Sequence, residues 1–142
     1  MNILFLCVGN SARSQIAEGL ANDMFGNNHI IRSAGSCPIG KVNEHALIAL
    51  EDIGIDISSY KSKAIEDLDK DFINNLDFVI TLCAEEVCPV LPSKAKLLRW
   101  AIEDPANPKL NETESEVLFK ITRENIYNLL KKFLLDEIVD YR

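Results

Sequence analysis

The stretch Ile3-Leu4-Phe5-Leu6-Cys7-Val8-Gly9-Asn10-Ser11-Ala12-Arg13-Ser14 contains a short apolar run, a turn cluster and the beginning of a helix. Residues 3–8 are all apolar, which is typical of a buried parallel strand rather than an amphipathic one. After the turn cluster, residues 14–25 carry apolar side chains at helical spacing, namely Ile16, Leu20 and Met24. The stretch therefore predicts a strand, a tight loop and a helix in succession.

The rest of the chain continues this alternation. Further strands are predicted at residues 30–33, 78–82 and 96–100, and further helices at residues 43–53, 65–74 and 115–135. Strands that alternate with helices indicate a parallel sheet covered on both faces. The predicted fold is therefore an α/β, three-layer α/β/α sandwich with a four-stranded parallel sheet, formed as a single domain by residues 1–142.

Composition excludes several classes of function. The chain has 142 residues, of which 47% are hydrophobic and 26% charged, as expected for one globular domain. Its formal net charge is −7, so we expect no binding to nucleic acid or to an anionic membrane, which needs a basic surface. The sequence has no apolar run of about 18 residues and no signal-peptide pattern at its start. We expect a cytoplasmic protein whose four cysteines are reduced and serve catalysis or metal binding.

The loop after the first strand has the composition of an anion site. Successive backbone N–H groups in a tight loop form a nest for an anion, and the dipole of the following helix adds to it. Gly9 and Asn10 can take the positive φ that such a loop needs. The Arg13 guanidinium matches two oxygens of a tetrahedral oxyanion, and the same field, with the Ser14 hydroxyl, favours a Cys7 thiolate. We predict Cys7 as the nucleophile and an oxyanion-binding loop of Val8, Gly9, Asn10, Ser11, Ala12, Arg13 and Ser14. The alternative is an inert, buried Cys7.

Two more cysteines, Cys83 and Cys88, follow the predicted strand at residues 78–82. Ligands bind at the carboxyl ends of strands in such folds, where Cys7 also lies. A zinc site needs about four ligands, and the remaining candidates, Cys37, His29 and His45, have no recognised spacing. We therefore predict no metal, and a redox role for the pair, against the alternative of two buried apolar cysteines.

In a regular helix the Cα atoms of Cys83 and Cys88 would lie about 8–9 Å apart, beyond the roughly 7 Å limit of a disulfide. A disulfide between them then needs local unwinding, unless the segment is already a loop. We expect this segment to remodel on oxidation.

The chain also resembles a known family. Cys7 to Ser14, with the following Gln15-Ile16-Ala17-Glu18-Gly19, Ser33-Ala34-Gly35 and Asp104-Pro105, is similar to the low-molecular-weight protein tyrosine phosphatase superfamily. Gln15 and the later cysteine pair resemble the thiol-coupled arsenate reductases within it. The phosphatases typically have proline after the Arg-Ser pair and two tyrosines after the Asp-Pro pair. Here the corresponding residues are Gln15 and Ala106-Asn107.

The resemblance implies a mechanism without a cofactor. Cys7 attacks arsenate, and Asp104 is the general acid that protonates the departing oxygen, with Glu103 as the competing candidate. Cys83 then attacks Cys7 and releases arsenite, and Cys88 attacks Cys83. Thioredoxin or a glutaredoxin-type dithiol protein reduces the resulting disulfide.

Residue 63 departs from the family pattern. Some reductases of this family hold a potassium ion beside the loop with an asparagine, a glutamate, a serine and an aspartate. Asn10, Glu18 and Ser33 match the first three, and Lys63 stands in place of the aspartate. A lysine ammonium there would supply the charge of the ion and exclude it, so we expect independence of potassium.

The cysteine pattern departs as well. Many relatives have a second cysteine within the loop, where this chain has Ala12, and Cys37 has no assigned role.

Three other functions are compatible with parts of the sequence. The nearest is a phosphatase that forms a phosphocysteine on Cys7, and weak phosphatase activity toward a phosphotyrosine-like ester is expected in either case. A phosphocysteine carrier of a sugar-transport system would not need Arg13, Asp104 or the later cysteines. A non-enzymatic thiol sensor would result if Asp104 is misplaced.

Overall fold

The computed structural model describes residues 1–84 and 89–138, and a parallel sheet forms its centre. The four strands are β1 (Asn2–Cys7), β2 (Ile30–Gly35), β3 (Phe78–Thr81) and β4 (Lys96–Arg99). They lie in the order β2-β1-β3-β4, and every pairing is parallel. The predicted four-stranded parallel sheet is therefore confirmed.

Four α-helices accompany the sheet in the described residues: α1 (Arg13–Phe25), α2 (Glu44–Glu51), α3 (Lys70–Asn74) and α4 (Glu112–Phe133). A 3₁₀ turn, Ile65–Asp67, precedes α3, and a π-helical turn, Leu134–Ile138, follows α4. The single helix predicted at residues 65–74 is wrong, because Leu68 is extended and the Asp69 side chain caps a new helix by accepting from the N–H of Asp71.

Helix α4 begins three residues earlier than predicted. Asn111 accepts a hydrogen bond from the N–H of Glu114, and the Glu114 carboxylate accepts one from the N–H of Asn111. This reciprocal capping box satisfies two backbone donors and fixes the start of the helix at Glu112.

Two apolar clusters on opposite faces of the sheet produce the layers. Alternate residues of β1 point to opposite faces, so Ile3 and Phe5 join one cluster while Leu4 and Leu6 join the other. The first and larger cluster contains the buried apolar residues of α1, α2 and α4, and the second contains Leu68, Phe72 and Leu76 from around α3. Ile3 to Leu6 are all fully buried, which explains the unbroken apolar run at the start of the sequence.

The strand order places a ligand site at the carboxyl end of β1. Strand β1 pairs with β2 on one side and with β3 on the other, so the direction of winding changes beside it. The crevice outside the carboxyl ends of strands at such a switch point is where open α/β sheets bind ligands. Among the described residues, no helix is both long and apolar enough to span a membrane.

Candidate active site

The loop between β1 and α1 turns at Asn10. Its φ is +46°, so Asn10, rather than Gly9, supplies the left-handed residue of the predicted loop. The Asn10 side-chain oxygen accepts from the backbone N–H of Lys63 and from the Gln15 amide, both at 2.9 Å. Its amide nitrogen donates to Ser14 at 2.8 Å and to Ser33 at 2.9 Å. These four bonds hold a fully buried residue in an uncommon conformation.

A wall segment, residues 36–43, fixes the direction of the loop peptides. The N–H groups of Cys37, Ile39 and Asn43 donate to the carbonyls of Val8, Gly9 and Ser11 at 2.9–3.0 Å. In a trans peptide the N–H points opposite to the carbonyl. The N–H groups of Gly9, Asn10 and Ala12 therefore point away from the wall, as a nest for an anion requires.

The loop and the wall segment enclose a cavity of about 340 Å³. The nucleophile, the guanidinium and the carboxylate predicted from the sequence all line it, and so does Cys37. Its other lining residues are Val8, Gly9, Asn10, Ser11, Ala12, Ile39, Asn43 and Ala106. Ser14, the last residue of the predicted oxyanion loop, is buried and contacts the nucleophile from α1.

The Cys7 sulfur lies within hydrogen-bond distance of the Ser14 hydroxyl. Cys7 is 2% exposed, and its Sγ lies 2.8 Å from the Ser14 Oγ. Because the Asn10 amide donates to the same Oγ, the single hydroxyl proton of Ser14 is available for the sulfur. Such a bond stabilises the thiolate form, which is the nucleophile.

The Arg13 side chain is buried and oriented by two strand ends. One of its terminal nitrogens, Nη1, donates to the carbonyl of Ile102 at 2.8 Å and to that of Leu82 at 3.4 Å. The other, Nη2, lies 3.9 Å from the Asp104 Oδ2. The guanidinium is thus fixed between the segments that follow β3 and β4 while it lines the cavity.

Asp104 reaches the cavity, and its neighbour Glu103 is not among the lining residues. The Asp104 Oδ1 accepts from the N–H of Ala106 at 3.0 Å across Pro105, which holds the carboxylate in a turn. The Asp104 side chain is 50% exposed, so its carboxyl group can exchange a proton with solvent. Between the two candidates for the general acid, the position of Asp104 is the suitable one.

Beneath the loop lies a buried carboxylate with a lysine beside it. The Glu18 side chain is 8% exposed, and its Oε1 accepts from the Ser33 hydroxyl at 2.6 Å and lies 3.6 Å from the Lys63 Nζ. Lys63 therefore places its ammonium beside the Glu18 carboxylate, one of the groups to which the resemblance assigns a potassium ion. No group of three or more His, Cys, Asp or Glu in residues 1–84 and 89–138 could hold a metal ion.

Of the two downstream cysteines, Cys83 lies within the described residues. Cys83 follows β3, is partly buried and takes part in a disulfide. The N–H of Leu82, the residue before it, donates to the carbonyl of Leu6, the residue before Cys7, at 2.9 Å. Cys88 lies outside the described residues, and so does the remodelling predicted for the segment from Cys83 to Cys88.

Two residues at the site had no role assigned to them from the sequence. Cys37 lines the cavity, although no spacing in the sequence pointed to it. Gln15 served only as a family marker, yet it is fully buried, and its amide donates to both oxygens of Asn10 and to the carbonyl of Lys61. A buried glutamine in the first turn of a helix was the available signal, since buried polar groups need partners.

Comparison with known proteins agrees with this geometry. The sequence matches the family model described as low molecular weight phosphotyrosine protein phosphatase over residues 2–140. The chain belongs to this family. The resemblance read from the sequence is thereby confirmed. Within the family, it is 42% identical over 133 residues to an arsenate reductase of Bacillus subtilis (strain 168), covering 92% of this chain and 93% of that one.

The fold is also similar to those of solved arsenate reductases. One, described as an arsenate reductase in the phosphate binding state, superposes with a TM-score of 0.76 at 28% identity and covers 94% of this chain and 95% of that one. A thioredoxin-dependent arsenate reductase of Corynebacterium glutamicum gives a TM-score of 0.68 at 31% identity, covering 95% of this chain and 62% of that one.

Proposed function

We propose that this chain is an arsenate reductase that uses Cys7, Cys83 and Cys88 in succession. The observation that carries the proposal is the backbone bond from Leu82 to Leu6, 2.9 Å long. It joins the residue before Cys7 to the residue before Cys83, at the end of two paired strands. The backbones of paired strands lie about 4.8 Å apart. A phosphatase has no use for a second thiol at this position, whereas a reductase must supply two electrons.

The first step uses the residues that line the cavity. Arsenate binds to the loop N–H groups and to Arg13, whose guanidinium is already oriented by backbone carbonyls. The Cys7 thiolate forms a sulfur–arsenic bond, and one arsenate oxygen leaves as water with a proton from Asp104. Ser14 stabilises the thiolate before attack.

The second stage moves two electrons to arsenic. The Cys83 thiolate attacks the Cys7 sulfur, and the electron pair of the sulfur–arsenic bond passes to arsenic, which leaves as arsenite. The Cys7–Cys83 disulfide is then attacked by the Cys88 thiolate, which returns Cys7 as a thiolate and leaves a Cys83–Cys88 disulfide. A dithiol protein, thioredoxin or glutaredoxin, reduces that disulfide by exchange. No cofactor enters the cycle.

Support for this assignment over a tyrosine phosphatase comes from the mouth of the cavity. The family phosphatases have two tyrosines after the Asp-Pro pair, and here Ala106 lines the cavity at that point. An alanine provides no ring to pack on a phenyl group, which favours a small free oxyanion over a phosphotyrosine side chain. Hydrolysis of aryl phosphates through a phosphocysteine on Cys7 remains the second candidate, since Arg13 and Asp104 serve that chemistry equally well.

The test is the Cys83→Ser variant in two assays. With arsenate, thioredoxin, thioredoxin reductase and NADPH, we expect this variant to consume no NADPH, because arsenic receives no electron pair. Its hydrolysis of p-nitrophenyl phosphate is expected to stay within about twofold of the parent, since that reaction needs only the cavity residues. Cys37→Ser is the matched control, with the parental rate of reduction. A parent protein that hydrolyses the ester but does not reduce arsenate would make the phosphatase the correct assignment.

We also propose that residues 1–142 act as one domain in the cytoplasm. Both the free Cys7 thiol and the relay through Cys83 require a compartment where thiols are kept reduced.

A further inference from the structure

Two free thiols line the cavity of the candidate active site. Cys7 is at its base and 2% exposed, while Cys37 is exposed on the wall segment. A hydroperoxide that reaches the Cys7 sulfur enters through the space that Cys37 also lines. Such oxidants attack thiolates and convert them to sulfenic acids. Redox-sensitive cysteines often have a second thiol nearby, which converts the sulfenic acid to a disulfide.

The backbone keeps Cys37 beside the loop. In the sheet, Cys7 is the register partner of Gly35, two residues before Cys37. The N–H of Cys37 then donates to the carbonyl of Val8, the residue after Cys7, at 2.9 Å. Pro38 follows and restricts Cys37 to extended backbone conformations. The wall segment thus holds the backbone of Cys37 against the loop, and the exposed Cys37 lines the same cavity as Cys7.

Cys37 is the thiol that is available to react with an oxidised Cys7. Cys83 is in a disulfide while Cys7 is free, so in this state Cys83 has no thiol to offer to an oxidised Cys7. Residue 12 within the loop is alanine and offers none either. Cys37 is the other free thiol of the described residues.

We propose that Cys37 captures Cys7 after oxidation by a hydroperoxide and so protects the nucleophile. The Cys7 thiolate takes one oxygen from the peroxide and becomes a sulfenic acid, while the peroxide leaves as hydroxide, or as alkoxide from an organic peroxide. The Cys37 thiol then attacks the Cys7 sulfur, a Cys7–Cys37 disulfide forms, and the oxygen leaves as water. A dithiol reductant restores both thiols, whereas a second oxidation of the sulfenic acid gives a sulfinic acid that dithiols do not reduce. This role does not depend on arsenate and goes beyond the proposed reduction.

The experiment uses the full chain with Cys83→Ser and Cys88→Ser, in which Cys7 and Cys37 are the two cysteines left of four. The protein is treated with a small excess of hydrogen peroxide, and peptides are mapped by mass spectrometry without reduction. We expect a Cys7–Cys37 linked peptide pair with the loss of two hydrogens. With Cys37→Ser added, we expect Cys7 to gain two oxygens about tenfold faster.

A matched control and a second readout complete the test. Ser36→Ala, on the same wall segment, should oxidise like its parent. Recovery of p-nitrophenyl phosphate hydrolysis by dithiothreitol after peroxide should be nearly complete with Cys37 and largely lost with Cys37→Ser. Equal rates of sulfinic acid formation with and without Cys37, and no linked peptides, would overturn the proposal. The peptide map needs no enzymatic activity, so this outcome is distinct from a failure of the arsenate assay.

Discussion

The ammonium of Lys63 lies 3.6 Å from the Glu18 carboxylate, at the far end of a chain of contacts that leads to the nucleophile. Glu18 accepts from Ser33, which accepts from the Asn10 amide. The same amide donates to Ser14, which contacts the Cys7 sulfur. The charge of Lys63 thus stabilises a buried carboxylate that is connected to the loop through Ser33 and Asn10.

Replacing Lys63 with methionine should make the stability of the protein depend on potassium. Glu18 would lose its ammonium partner while it stays buried, and we expect the free energy of unfolding to fall by about 1–3 kcal/mol. Potassium can then enter beside Glu18, so the melting temperature of Lys63→Met should be higher in potassium chloride than in sodium chloride at equal ionic strength. The parent protein should melt at the same temperature in both salts.

Lys61→Met is the control for this substitution. Lys61 is an exposed lysine two residues away, so its loss changes the net charge equally without uncovering Glu18. A parent protein that is stabilised or activated by potassium would contradict the interpretation of Lys63.

Removing the Ser14 hydroxyl should make Cys7 a poorer nucleophile. A hydrogen bond to a charged group contributes about 1.5–3 kcal/mol, so Ser14→Ala should slow alkylation of Cys7 by iodoacetamide near neutral pH by about 10- to 100-fold. Ser11→Ala removes a hydroxyl that donates to the Lys41 carbonyl and should leave the rate within about threefold. Equal rates for both variants would mean that Ser14 has only a structural role.

Replacement of the two neighbouring acids should separate their roles. Asp104→Asn removes the proton donor, and we expect hydrolysis of p-nitrophenyl phosphate to slow by about 100-fold or more. The loss should be larger with phenyl phosphate, whose leaving group needs the proton more. Glu103→Gln should change either rate by less than about twofold, because Glu103 does not line the cavity. The reverse order of effects would exchange the two assignments.

The local sequence pattern predicted strand β1 correctly. The apolar run of β1 was visible because both of its faces are covered. The start of α4 was misplaced because residues 111–114 carry no apolar periodicity, although Asn111 and Glu114 are a recognisable capping box. The break after Asp67 depends on two consecutive non-helical residues, Leu68 and Asp69, within a segment of helical composition.

The sequence allowed a site residue to be placed where that residue lies close to the end of a predicted strand. Cys7 and Arg13 belong to one local unit, and Asp104 could be added because it follows the last strand. The contribution of Cys37 was not predictable, because it depends on the direction of the backbone beyond the end of β2 and on the bond between Cys37 and Val8. A one-dimensional pattern contains neither.

Adding a methyl group at Gly35 should damage the oxyanion loop more than adding one at Gly9. A Cβ at Gly35 would collide with the carbonyl oxygen of Val8 and lie 3.0 Å from the nitrogen of Asn10, so loop backbone must move. A Cβ at Gly9 would lie 2.9 Å from the terminal methyl of Ile39, an exposed side chain that can rotate away.

We expect Gly35→Ala to weaken binding of inorganic phosphate by about tenfold or more, with a loss of stability of about 1–3 kcal/mol. Gly9→Ala should keep both quantities close to the parent. Titration calorimetry with phosphate and thermal unfolding measure the two effects, and similar phosphate affinities in both variants would show that the contact of Gly35 with the loop does not set its geometry.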